Sequence, residues 1–123
     1  MVSATLLHHP QCSKSRQALA LLEKEPQVQL TIRLYQKAPL TANELNRLLD
    51  QLIDPSTALV RTGDATFQAL GRPSEELSRQ EIISLLSEHP QLMQRPVLII
   101  ENQAKIGRPP ETLLSLLPTA TQG

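Results

Sequence analysis

Aromatic side chains are scarce in this 123-residue chain: Tyr35 and Phe67 are its only two, and tryptophan is absent. So little stacking surface disfavours a single-strand nucleic-acid platform, and the core has to be built from Leu, Ile, Val and Ala. Net charge is missing as well. Twelve Lys plus Arg balance twelve Asp plus Glu, so no overall field gathers the protein onto nucleic acid or an anionic membrane, and a basic tail or arm is not expected. Nor does any stretch approach the roughly 20 apolar residues of a membrane helix. Residues 1–7 carry neither a basic leader nor an apolar run of signal length, so a cytoplasmic location is expected. Cysteine is reduced to Cys12. That excludes an intrachain disulfide and makes a thiolate metal cluster implausible, so no metal is expected. The length suits one core, hence a single domain over 1–123.

The patterning gives an order of elements. ATLLH at 4–8 is long enough for a buried strand and too short for a helix. From Ser13, SKSRQALALLEKE places Ala18, Leu19, Leu21 and Leu22 on a helical stripe, with Ser13 available as N-cap and Pro26 as stop. VQLTIRL at 28–34 alternates, with Val28, Leu30, Ile32 and Leu34 sharing a face. Thr41 with Glu44, and Ser78 with Glu81, have capping-box spacing ahead of helical stripes. Segments 56–60 and 65–70 read as brief helices, the second ended by Gly71, so about 41–89 forms a helical insert. VLIIE at 97–101 reads as a central strand, Asn102-Gln103 as a turn, 104–107 as a return strand and 111–117 as a last helix, with the tail at 118–123 frayed. The fold class is α/β: a thioredoxin-like sheet of about four mixed strands, with an all-helical segment inserted between its βαβ and ββα halves.

Cys12 falls at the strand-to-helix junction, where free N–H groups and the positive end of the helix dipole favour a thiolate. Lys14 and Arg16 add charge, and the hydroxyls of Ser13 and Ser15 are available to a sulfur anion or to an oxyanion beside it. A lone cysteine is most often a small buried hydrophobe, but this polar, helix-capping setting favours a nucleophile. His89, before Pro90, reads as a cation at a helix C-terminus.

The pattern His8-x-Pro10-x-Cys12-x-x-Ser15-Arg16, with Arg95-Pro96 before VLII and Gly107-Arg108-Pro109 after the turn, resembles the glutaredoxin-coupled, ArsC-type arsenate reductases and their Spx-like relatives over nearly the whole chain. The resemblance implies that Cys12 attacks the arsenic of arsenate and that Arg61, Arg95 and Arg108 bind the oxyanion. Guanidinium forks suit a tetrahedral anion, although five further arginines occur and sequence alone does not show which of them converge. His8 matches the family histidine near the sulfur, where an imidazolium or a hydrogen bond would hold the thiolate; the alternative is a strand-end histidine satisfied locally. His9 stands where the family commonly has asparagine. Pro96 occupies the place of the thioredoxin-fold cis-proline, or else starts the strand as an ordinary trans residue. Arg16 either contacts the oxyanion or holds the loop.

Further implications of the resemblance are glutathione as co-substrate, no bound cofactor, glutaredoxin as partner and a monomeric protein. With no second cysteine in the chain, the electrons have to come from outside it. Two alternatives belong beside this reading. An Spx-like regulator would bind RNA polymerase, but Ser15 stands where its sensor pair has a second cysteine. The other is a glutathione-linked reductase with a different substrate.

Overall fold

The computed structural model describes residues 2–117; the expectation of a frayed tail at 118–123 lies outside them. Four strands form one sheet in the order β2-β1-β3-β4, from β1 (Val2–Leu7), β2 (Val28–Arg33), β3 (Val97–Ile100) and β4 (Gln103–Ile106). β1 pairs parallel with β2 and antiparallel with β3, and β3 pairs antiparallel with β4. This is the thioredoxin-like arrangement that the order of elements implied. Strand alternation sends Ala4, Leu6, Leu98 and Ile100 to one face, under helix α1 (Ser13–Glu23) and the 3-10 helix Pro110–Leu116. Leu7, Val97, Ala104 and Ile106 go to the other, under the insert. Each fully buried Leu or Ile contributes about 2 kcal/mol of transfer free energy, so both layers are held by their apolar faces. Ile32, on edge strand β2, stays 43% exposed although it shares its parity with Val28 and Leu30; an edge strand has a neighbour on one side only.

The insert carries α2 (Ala42–Gln51), α3 (Ala65–Gln68) and α4 (Arg79–Glu88). Both capping boxes form. Thr41 Oγ1 accepts from the Glu44 amide at 3.1 Å while Glu44 Oε1 accepts from the Thr41 amide at 2.9 Å, and Ser78 with Glu81 repeats this at 3.2 and 2.9 Å. Gly71, at φ +66°, ends the turn after α3. The return turn sits one residue earlier than its sequence implied, at Glu101-Asn102, with Glu101 at φ +54°.

Two clamps fix the insert to the sheet. Ile53 N–H donates to Ala104 O at 2.8 Å and Asp54 Oδ2 accepts from the Ile106 amide at 2.8 Å, which covers the otherwise free edge of β4. Val60 bridges Met93, with Arg61 N–H donating to Leu92 O and Gln94 N–H to Leu59 O, each at 2.7 Å. This second clamp sets Arg61 beside the segment that leads into β3.

Candidate active site

The topology brings four chain segments to one end of the sheet. Because β1 and β2 run parallel and β3 runs against them, the loop after Leu7, the loop after Arg33, the entry to β3 and the exit from β4 all emerge there. They carry His8 to Cys12, Tyr35, Arg95 and Arg108 respectively, and the clamp at Val60 adds Arg61.

Cys12, half-buried, occupies the N-cap position of α1, where the sequence suggested Ser13. No side-chain hydrogen bond closes that N-terminus. Burial works against the sulfur anion, but the backbone N–H groups of Ser15 and Lys14, the charge of Arg108 and a hydrogen-bonding contact from Arg95 outweigh it, and the thiol is held below its ordinary value. Arg108 Nη2 lies 3.7 Å from Cys12 Sγ.

Ser15 serves the sulfur through its backbone, not its hydroxyl. Its side chain is fully buried; Oγ accepts from the His9 amide at 3.0 Å and lies 2.7 Å from His8 Nδ1. Burial, then the charge of Arg16, push His8 below its ordinary pKa, which disfavours a charged ring, and the short contact is a hydrogen bond between Nδ1 and the Ser15 hydroxyl whose direction follows the ring tautomer. An imidazolium beside the thiol is thereby disfavoured, and His8 fastens the loop through Ser15. Arg16 holds the same loop, donating from Nη1 to Pro10 O at 3.0 Å. His9 faces the basic cluster, its pKa lowered by burial, then by Arg95, Arg61 and His8.

The three arginines are anchored by neutral acceptors. Arg95 Nη1 donates to Gln91 O at 2.8 Å, Arg61 Nη1 to Gln94 Oε1 at 3.2 Å, and Arg108 Nε to Arg95 O at 2.9 Å. Among the described residues no carboxylate lies within 4.0 Å of any of them. Of the five other arginines, three are paired with carboxylates among the described residues, Arg33 with Glu44, Arg72 with Glu81 and Arg79 with Asp50, while Arg16 and Arg47 are not. Burial and the charges of Arg95 and Arg108 lower the pKa of Arg61, partly offset by Cys12 and Tyr35, which marks these groups as mutual neighbours. Arg61, Gln94 and Arg108 line a cavity of about 160 Å³ with Asp64, whose carboxylate is engaged by the Thr66 amide at the start of α3. A groove of about 400 Å³ lies away from the sulfur, between α2 and the sheet. An unneutralised cluster of guanidinium groups against one thiol favours an anionic ligand there.

The Arg95–Pro96 bond is cis, and so is Arg108–Pro109, which the sequence gave no reason to expect. Gly107 stands where a Cβ would come within 2.8 Å of the Leu113 side chain and 3.0 Å of Pro96. Its lack of a side chain lets the segment bearing Arg108 pass against the start of β3. Gln94 and Tyr35 escaped the sequence reading. For Tyr35 a signal was present, since it is one of two aromatics and lies two residues past the end of β2. Among the described residues no group of three or more His, Cys, Asp or Glu side chains is placed to hold a metal, and no helix is long and apolar enough to cross a membrane.

Residues 7–116 match the ArsC family. The chain is 41% identical to the arsenate reductase of Haemophilus influenzae, over 94% of this chain and 100% of that one. It is 35% identical to the Escherichia coli protein YfgD, over 91% and 94% respectively. The structure of an arsenate reductase from Vibrio cholerae superposes with a TM-score of 0.86 at 34% identity, covering 94% of this chain and 98% of that one.

Proposed function

The chain belongs to the ArsC family, and from that premise we propose that it reduces arsenate to arsenite with electrons from glutathione, working with glutaredoxin as a cytoplasmic monomer. The observation that carries this reading is the set of three arginines without carboxylate partners around the Cys12 sulfur.

In the proposed reaction Arg61, Arg95 and Arg108 receive the arsenate oxygens, and the Cys12 thiolate forms a sulfur–arsenic bond as one oxygen leaves as water. Glutathione supplies a second thiol to the arsenic. The two sulfurs give up two electrons and end as a mixed disulfide, arsenic passes from the +5 to the +3 state and leaves as arsenite, and glutaredoxin reduces Cys12 again. Developing charge on the arsenate oxygens is met by preorganised guanidinium groups, and the departing thiolate of Cys12 by the Ser15 and Lys14 amides. No metal or bound organic cofactor enters the scheme.

Turnover of arsenate with glutathione and glutaredoxin supplied, beside phosphate as competitor, tests the reading. Arsenate-dependent glutathione oxidation that stops when either thiol component is omitted is the expected result. Binding to an RNA polymerase subunit that ignores arsenate, with no turnover, would replace the enzyme by a regulator.

A further inference from the structure

Tyr35 is only 1% exposed, yet its hydroxyl has no hydrogen-bond partner among the described residues. Two other buried polar atoms share that condition, Nε of Arg61 and Nε of Arg95. The three lie together. The Tyr35 ring belongs to the same apolar cluster as Val60 and Met93, each within two residues of one of those arginines, and both guanidinium charges act on the phenol. Packing alone does not explain the residue, because phenylalanine would fill the same space without burying a hydroxyl. Two N–H donors lacking acceptors and one phenol oxygen with two lone pairs are, however, complementary.

We propose that Tyr35 is a positioning residue of the anion site: its phenol oxygen accepts from the Arg95 guanidinium and so sets where Arg95 and its neighbour Arg61 point. The need for such a residue follows from the charges. Arg61, Arg95 and Arg108 repel one another and have no carboxylate partner to order them. Gln91 O and Gln94 Oε1 each hold one end of a fork, and both Nε groups stay free to rotate the plane. A neutral acceptor on the core side orders the forks without competing for the anion as a carboxylate would. The inference rests on the reading of the three arginines as an oxyanion site.

Alkylation of Cys12 by iodoacetamide, with inorganic phosphate as protecting anion, separates that reading from the role of Tyr35. In the parent protein phosphate should slow alkylation. In Tyr35→Phe the protection constant should weaken about fivefold, the equivalent of one hydrogen bond. The arsenate KM should rise with kcat little changed, and melting should shift little, because the ring that fills the core stays in place. Protection by phosphate as strong in Tyr35→Phe as in the parent would overturn the inference and leave Tyr35 as core packing. No protection in the parent would overturn the anion-site reading, and the inference with it. If Tyr35→Phe fails to fold, Tyr35→Met is read by the same protection constant.

Discussion

Two kinds of helix N-terminus coexist in this protein. At α2 and α4 the first turn is closed: Thr41 and Ser78 cap it, Glu44 and Glu81 return the bond, and each Glu carries an arginine partner, Arg33 and Arg72. At α1 the N-cap is a cysteine without a side-chain cap, the first turn holds no acid, and the arginines opposite have no carboxylate. The first kind spends its donors and dipole on stability. The second leaves them for a sulfur anion and an oxyanion. A departure from the capping pattern followed elsewhere in the chain marks the place where chemistry is expected.

Closing the open terminus should have the largest effect. Cys12→Asp installs a good N-cap and an anion among the arginines, so turnover should fall by about a thousandfold or more. Thermal unfolding should meanwhile report a gain of about 1 kcal/mol. A destabilised Cys12→Asp protein would show that this terminus is not held open for an anion.

Removing the opposing charge comes next. Arg61→Ala, Arg95→Ala or Arg108→Ala should each lower arsenate turnover by about 2 to 4 kcal/mol of barrier, with Lys restoring only part. Arg72→Ala, which removes an arginine that already has a carboxylate partner, should leave kcat/KM unchanged. Gly107→Ala, forced against Leu113 and Pro96, should lower both stability and turnover, since the segment it displaces carries Arg108.

Smaller effects belong to the closed termini. Ser78→Ala or Thr41→Ala should cost about 1 kcal/mol in denaturant unfolding and leave turnover unchanged. Their acids give the smallest signal. The Arg33 guanidinium and then the Thr41 amide hold Glu44 at about 2 instead of 4.5, and Arg72 with the Ser78 amide does the same for Glu81. Both folded values are depressed, so this stabilisation is present above the unfolded value near 4.5 and is lost as pH falls towards 2. Glu44→Gln should flatten an acid-unfolding curve slightly in that window, the pair being solvent-screened.

The closed termini were legible in the sequence and the open one was legible only in part. A capping box is local, four residues that meet whatever the rest of the chain does, and both form as their spacing implied. Hydrophobic periodicity likewise placed the four strands and the helices to within a few residues. Cys12 could be placed near a helix start, but the N-cap position passed to Ser13, because serine is the usual cap and a thiol is not. The convergence of Arg61 with Arg95 and Arg108 depends on the Val60–Met93 bridge, a contact between segments 33 residues apart that no periodicity encodes. The lowered pKa of His8 comes first from its burial, and its contact with Ser15 is again a property of packing.

The pH dependence of Cys12 alkylation tests the open terminus most directly, because with a single cysteine in the chain every alkylation event reports that sulfur. The rate should be measured in the folded protein and in the urea-unfolded chain. The unfolded chain should show a midpoint near the ordinary value of about 8.5, and the folded protein a midpoint clearly below it. Arg108→Ala should move the folded midpoint upward, since that guanidinium stands 3.7 Å from the sulfur. A folded midpoint equal to or above the unfolded one would contradict the assignment of Cys12 as an activated nucleophile and return it to the class of buried, inert thiols.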